Sequence, residues 1–282
     1  MATHGDQIAG LTLARFLAPL QAEEELRLSV GADAEGHEPV TALSSATLEA
    51  WMVAVGHSHA DMDPKTRAAY LIGDIAWAFS LNLGAMHLAG AGLPDVSADR
   101  IGAAPQWYHW EEDGESGTAL RFTLRLLAAA DTEHRPLGVD GIRALVVAFH
   151  APLIEQLFAT TKLGRSALWR LVADAIAAGW LTVGKRIGQE LWAMQAADAI
   201  IKQPGSPLYN KQTSFIEVVV RDEAQPEQVV ACEWFRARGG CCRYYTTEAA
   251  AGDYCTTCVL RSTESRDDLL HAYLKGKTEA AA

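Results

Sequence analysis

Four thiols are gathered into one short stretch of this chain: Cys241-Cys242, a spacer of twelve residues, then Cys255-Thr256-Thr257-Cys258. A fifth, Cys232, lies just upstream, and the 231 residues before it contain no cysteine. Thiolates ligate zinc and iron–sulfur clusters, so the group reads as one metal-holding site. It could hold a tetrahedral zinc, a [2Fe–2S] cluster or a [4Fe–4S] cluster. Zinc sites usually build from two C-x-x-C knuckles, and here only Cys255–Cys258 has that spacing. The side chains of adjacent residues such as Cys241 and Cys242 diverge, which makes closure on one small ion awkward. A two-iron cluster is wider and accommodates adjacent ligands more readily. The C-x2-C-x2-C spacing of bacterial [4Fe–4S] ferredoxins is absent. Cys232 lies in the apolar run VVACEWF. It is expected to be a buried small hydrophobe rather than a fifth ligand.

Local charge suits an anionic cluster. Between Cys232 and Lys277, seven Arg and Lys stand against six Asp and Glu, whereas the whole chain of 282 residues carries −11. Arg238 and Arg243 bracket the first cysteine pair, where a cation would raise a reduction potential. The acidic balance argues against nucleic acid or an anionic membrane surface as the main partner. No secretory leader is apparent at the N-terminus, and the apolar stretch Ile75–Met86 is too short to span a bilayer. A cytoplasmic protein with no transmembrane segment is therefore expected. In that compartment, clustered cysteines are more often metal or redox groups than disulfides.

The elements that must position these thiols are mostly helical. A helix over Ala46–Val55 follows Ser44 and Ser45, either of which can cap it. A second starts at Asp63-Pro64 and runs to about Leu88. Gln106–Trp110 and Ala119–Leu127 flank the turn EEDGESG and read as a β-hairpin, with Trp107, His109 and Leu120, Phe122 alternating in the strand manner. Helices follow over Val139–Ala159 (with Pro152 inside), Ser166–Ala178 (stopped by Gly179) and Ile187–Ile201. Phe215–Val220 and Val229–Trp234 form a second hairpin, and a charged helix over Ser265–Lys277 closes the chain. The expected fold is α+β and predominantly α-helical, with short antiparallel hairpins and a C-terminal cluster-binding segment. Its lobes are an N-terminal α+β lobe over 1–134 and a C-terminal helical lobe over 135–282, the latter carrying the cysteine segment at 232–262.

The stretch Phe235-Arg236-Ala237-Arg238-Gly239-Gly240-Cys241-Cys242-Arg243-Tyr244-Tyr245, followed by Tyr254-Cys255-Thr256-Thr257-Cys258, resembles the C-terminal motif of the FhuF-like ferric-siderophore reductases. That family carries a Cys-Cys-x10-Cys-x2-Cys pattern binding a [2Fe–2S] cluster in an aromatic, arginine-rich frame. The spacer here is longer, and the added residues fall in the loop TTEAAAG. A weaker likeness covers Arg165–Trp169 and Val172–Ala175, where the family's Leu-Trp-Gly-Asn is replaced after Trp169 by Arg170 and Leu171.

The resemblance implies an oxidoreductase with Cys241, Cys242, Cys255 and Cys258 as cluster ligands. Arg238, Arg243, Tyr244 and Tyr245 would tune the cluster or meet the substrate. The substrate would be a ferric siderophore, with neutral or cationic hydroxamates suiting the acidic body best. One-electron reduction to weakly held Fe(II) would release the metal. With no dinucleotide fingerprint in the chain, electrons must come from an external ferredoxin or flavoprotein reductase. The rival is a siderophore-binding or structural module whose four cysteines hold zinc without redox chemistry.

Other constellations carry less. His57-Ser58-His59-Ala60-Asp61 resembles a hydrolase metal signature, but Met62 stands where its last His belongs, and a polar interhelical loop is the expectation. His87 is expected to be a satisfied core histidine. Trp107-Tyr108-His109-Trp110 is expected on the core face of its hairpin rather than at a ligand pocket.

Overall fold

The structure, a computed structural model, describes residues 11–13, 15, 28–57, 61–88, 92–112 and 114–281. It is mixed α and β, and about half of the described residues are helical. In chain order the elements are β1 (Leu11–Thr12), β2 (Leu28–Val30), β3 (Glu38–Pro39), α1 (Ser45–Gly56), α2 (Pro64–Leu88), β4 (Ile101–Glu112) and β5 (Glu115–Leu126). There follow β6 (Glu133–His134), α3 (Val139–Thr161), α4 (Arg165–Arg186), α5 (Glu190–Ile201), β7 (Ser214–Arg221), β8 (Val229–Ala237) and α6 (Thr263–Ala281).

The helix starts follow from capping chemistry. The Ser44 hydroxyl accepts the Thr47 N–H at 3.0 Å, and the Asp63 carboxylate accepts the Thr66 N–H at 2.6 Å. Each satisfies one of the N–H groups a helix leaves unpaired at its start. Helix α4 does not stop at Gly179. It continues to Arg186, because Gly179 serves a crossing rather than a cap. A Cβ there would lie 2.9 Å from the Ser80 Cβ and 3.2 Å from the Leu81 backbone nitrogen, so α2 and α4 meet almost backbone to backbone. The next helix begins at Glu190 rather than Ile187, since Gly188 turns the chain at a φ of +66°.

One sheet has the order β2-β5-β4-β3, with β4 and β5 antiparallel over twelve residues each and β2 parallel to β5. The first hairpin is thus longer than expected and sits in a sheet with one parallel pairing. Register does put Trp107 opposite Leu120 and His109 opposite Thr118 on one face. The base of that face (Ile101, Ala103, Phe122, Leu124) is buried against the helices, and Leu120 above it is partly buried on the same core. Trp107 and Trp110 project beyond it, 46% and 37% exposed, which corrects the core assignment of the tryptophan cluster.

The main core draws on residues from both sides of position 134. At its centre Phe79 of α2 stacks on Phe149 of α3, ring centroids 4.4 Å apart. A satellite core forms where Val218 and Val220 of β7 meet Leu270 and Leu274 of α6. Alternation along β7 then sends Val219 and its cross-strand partner Cys232 to the other side. Cys232 is accordingly exposed, not buried, with its thiol 3.4 Å from Glu217 Oε1. His87 is not satisfied either. It lies half-buried between Trp180 and Trp192, at 5.2 and 5.8 Å, and its Nδ1 has no hydrogen-bond partner. Burial lowers its pKa.

Helices α2, α3 and α4 are each long and apolar enough to cross a membrane by length and composition, which corrects the expectation that no segment is. In this fold 78% of the apolar windows of α2 and α4, and 44% of that of α3, is buried against protein.

Candidate functional site

The cysteine segment begins where β8 runs into α4. Asp174 lies inside the apolar run of α4 and is only 3% exposed. Its Oδ1 accepts the Thr213 hydroxyl at 2.7 Å and the Gly239 N–H at 2.8 Å, and its Oδ2 accepts the Gly240 N–H at 2.9 Å. The Arg236 guanidinium stands 3.7 Å from the same carboxylate. A buried carboxylate is tolerated only with such a full set of donors. Two glycines in a row make the approach possible. A Cβ on Gly239 would collide with Asn210 and Thr213, and one on Gly240 would lie 3.0 Å from the Arg170 carbonyl carbon. The backbone turn that presents Cys241 and Cys242 is therefore fixed by one aspartate.

The two thiol pairs are turned alike. The Arg243 N–H donates to Cys241 Sγ and the Leu260 N–H donates to Cys258 Sγ, both at 3.4 Å. Each bond spans two residues; at Cys241 burial raises the thiol's pKa and the Arg243 N–H opposes that rise. The first such turn requires Arg243 to adopt a left-handed backbone, φ 64°. One thiol from each pair meets the other: Cys242 and Cys255 are hydrogen-bonded sulfur to sulfur. That bond holds the Cys242 thiol well below the ordinary range, with Arg238 reinforcing it, and raises the Cys255 thiol in return. Arg238 Nη1 lies 3.9 Å from Cys255 Sγ.

The spacer folds into two 3-10 turns, Tyr244–Thr246 and Glu248–Ala250, docked on the start of α2. Arg243 reaches Asp63 Oδ2 at 2.7 Å and Thr66 Oγ1 at 3.1 Å, and the Glu248 N–H donates to Asp61 Oδ2 at 2.5 Å. The spacer thus docks on Asp61, Asp63 and Thr66 at the N-terminal end of α2. Tyr245 packs edge-on against Tyr254 at 5.6 Å. In the histidine-containing loop, His59 lies outside the described residues, and His57 Nδ1 is bonded to the Val53 carbonyl at 2.9 Å.

A cavity of about 420 Å³ opens between α2, α4 and this segment. Tyr70, Asp74 and Trp77 form the α2 side; Arg236, Arg238, Cys242, Tyr244 and Cys255 form the other. Of the residues singled out from the sequence, Arg238, Cys242, Tyr244 and Cys255 meet here. Cys241, Cys258, Arg243 and Tyr245 are not part of the wall. Burial pushes the Asp74 carboxyl up to about 7 and raises the Tyr70 phenol. Sequence reasoning passed over Tyr70, Asp74 and Trp77, and named Arg236 and Asp174 only as members of motifs, with no role of their own. A signal existed for the two aspartates: each is the lone acid in an apolar helical run, YLIGDIAWAF and LVADAIAA.

No protein-family model matches this sequence, and no curated protein matches it significantly. Among the described residues no three His, Cys, Asp or Glu side chains converge closely enough to hold a metal ion. The donor chemistry nevertheless fits a thiolate-bound cluster. Cys241 feels the charge of both Cys242 and Cys258, and Cys255 that of Cys242 and Cys258. Backbone N–H groups and Arg238 already point at the sulfurs.

Proposed function

We propose that this chain is a cytoplasmic oxidoreductase that holds a [2Fe–2S] cluster on Cys241, Cys242, Cys255 and Cys258. Its substrate is a ferric siderophore, hydroxamates foremost, and its electrons come from a ferredoxin or a flavoprotein reductase. The observation that carries the reading is the meeting of Cys242 and Cys255 at the wall of a ligand-sized cavity. The cluster, when bound, supplies one-electron transfer. Fe(III) is held far more tightly than Fe(II) by hard oxygen donors, so one electron suffices to loosen the metal. The residues of the chain bind and orient. Arg238 offers charge-assisted hydrogen bonds at the cavity wall, Tyr70 and Tyr244 offer flat aromatic surface, and Asp174 fixes the loop that carries the first thiol pair.

The rival, a zinc-holding module without redox chemistry, draws on the matched N–H···S turns, which suit zinc equally. Visible spectroscopy on anaerobically purified protein separates the two. A red-brown protein that bleaches with dithionite is expected, and Cys255→Ser should abolish the colour. Colourless protein with one zinc per chain would sink the reductase reading.

A further inference from the structure

A second, smaller cavity of about 180 Å³ continues the first along α2. Asp74 and Trp77 belong to the walls of both. Beyond them the smaller cavity is closed by Ala78, Leu81 and Asn82 of the same helix and by Tyr108, Leu120 and Arg121 of the β4–β5 hairpin. The lining positions advance by three or four residues, so they share one helical face. From Ala69 to Asn82 that face runs about 20 Å. A binding groove thus reaches from the thiols to the N-terminal hairpin.

Two features of the far end point to a ligand. Trp77, between the buried Ala76 and Ala78, leaves 39% of its surface exposed. Asn82 is 2% exposed and spends its Nδ2 on the Ala78 carbonyl at 2.7 Å, while its Oδ1, equally buried, has no partner. A buried amide oxygen with no donor is uncommon and asks for one. Across from it the Arg121 guanidinium lies over the Tyr108 ring at 4.7 Å, held by Gln106 at 3.0 Å, which makes a firm, flat wall.

We propose that this far end is a second binding subsite, which takes the amide-bearing organic backbone of the chelate while its metal centre faces Cys242 and Cys255. The proposal rests on the ferric-chelate reading above. Trp77 covers the methylene segments of the backbone, and an amide N–H of the backbone donates to Asn82 Oδ1. Such a subsite favours chelators whose metal-binding groups are joined by a long amide chain over three separate small ligands.

The test uses redox-inert gallium(III) complexes and reads binding by titration calorimetry, with the visible spectrum of the holoprotein as a control. One probe is a linear trihydroxamate with amide linkers; the other is three acetohydroxamates, which have no backbone. The wild type should bind the linear complex more tightly. Asn82→Leu, confined to the far end, should weaken the linear complex about fivefold with the small complex and the spectrum unchanged, and Trp77→Ala, which touches both cavities, should weaken the linear complex roughly tenfold and the small one less. Unchanged affinity for the linear complex in both variants would overturn the subsite and leave the cysteine-site reading intact. Equal weakening of both probes would do the same. Failure of the wild type to bind either complex would remove the subsite together with the ferric-chelate reading.

Discussion

The helical body and the cysteine segment are held by different forces. In the body, Phe79, Phe149 and Leu153 are at most 1% exposed, and order comes from apolar packing spread over many side chains. Between Arg238 and Ser262 the only buried apolar residues are Ala250 and Cys258. That stretch is instead pinned by a few directional bonds: Asp174 to Gly239 and Gly240, Arg243 to Asp63, and Arg261 to Asp253 at 2.9 Å. Packing degrades gradually when one contact is lost, whereas a segment pinned at few points can open locally while the rest stays folded. The cysteine segment is set by its pins, and the body supplies the surface they hold to.

The strongest way to break this contrast is Asp174→Ala. It leaves two backbone N–H groups, the Thr213 hydroxyl and Arg236 without their acceptor, a loss on the order of 3–5 kcal/mol for a buried charged pair. Hydrogen exchange should rise sharply over 238–262 and all four thiols should become reactive, while the helical circular dichroism persists. Global unfolding with no prior local opening would show that the segment belongs to the body after all.

Within the body, two buried groups should respond to opposite ends of the pH scale, one in the core and one on the wall that faces the cysteine segment. In the body, burial pushes His150 down to about 4, although its bond to the Val146 carbonyl opposes this. Its neutral form is favoured by folding, so that contribution is present above pH 6.5 and is lost as pH falls through 4. Along the cavity, burial raises Asp74 from 3.8 to about 7. Its protonated form is favoured by folding, so its ionisation costs nothing below about pH 4 and costs most above pH 7. Asp74→Asn should therefore stabilise the protein at pH 8 by up to about 4 kcal/mol and change little at pH 4. Equal effects at both pH values, by chemical denaturation, would mean the carboxyl is not desolvated.

The same contrast explains what could be read from the chain. Helix starts at Ser44 and Asp63 and the β7–β8 hairpin were legible because capping and alternation are local. The spacing of the four cysteines is local too, but which thiols meet is not, and the pair that does is Cys242 and Cys255. Gly179 misled, since a glycine that ends a helix and one that lets two helices touch look alike until the partner, Ser80, is known. Cys232 misled because an apolar strand has two faces and the satellite core chose the other one. Asp174 and Asp74 act through contacts 39 or more residues away or through burial by other elements, so their roles are tertiary facts.

The spacer offers the finest test of the difference. Arg243 links it to Asp63 and Thr66, but the Asp63 side chain is 46% exposed, so the ion pair is screened and contributes about 1 kcal/mol or less. Arg243→Met should loosen the two spacer turns by about that amount, seen as faster exchange at Thr246 and Thr247, with global stability unchanged. High salt should reproduce part of the effect in the wild type. Arg243 also holds a left-handed backbone, which costs a side-chain-bearing residue roughly 1 kcal/mol. Arg243→Gly removes the same bonds and relieves that backbone, so it should loosen the spacer less than Arg243→Met does. If Gly loosens it more, the guanidinium is not the pin, and the turn around Cys241 is held by the aliphatic part of the side chain instead.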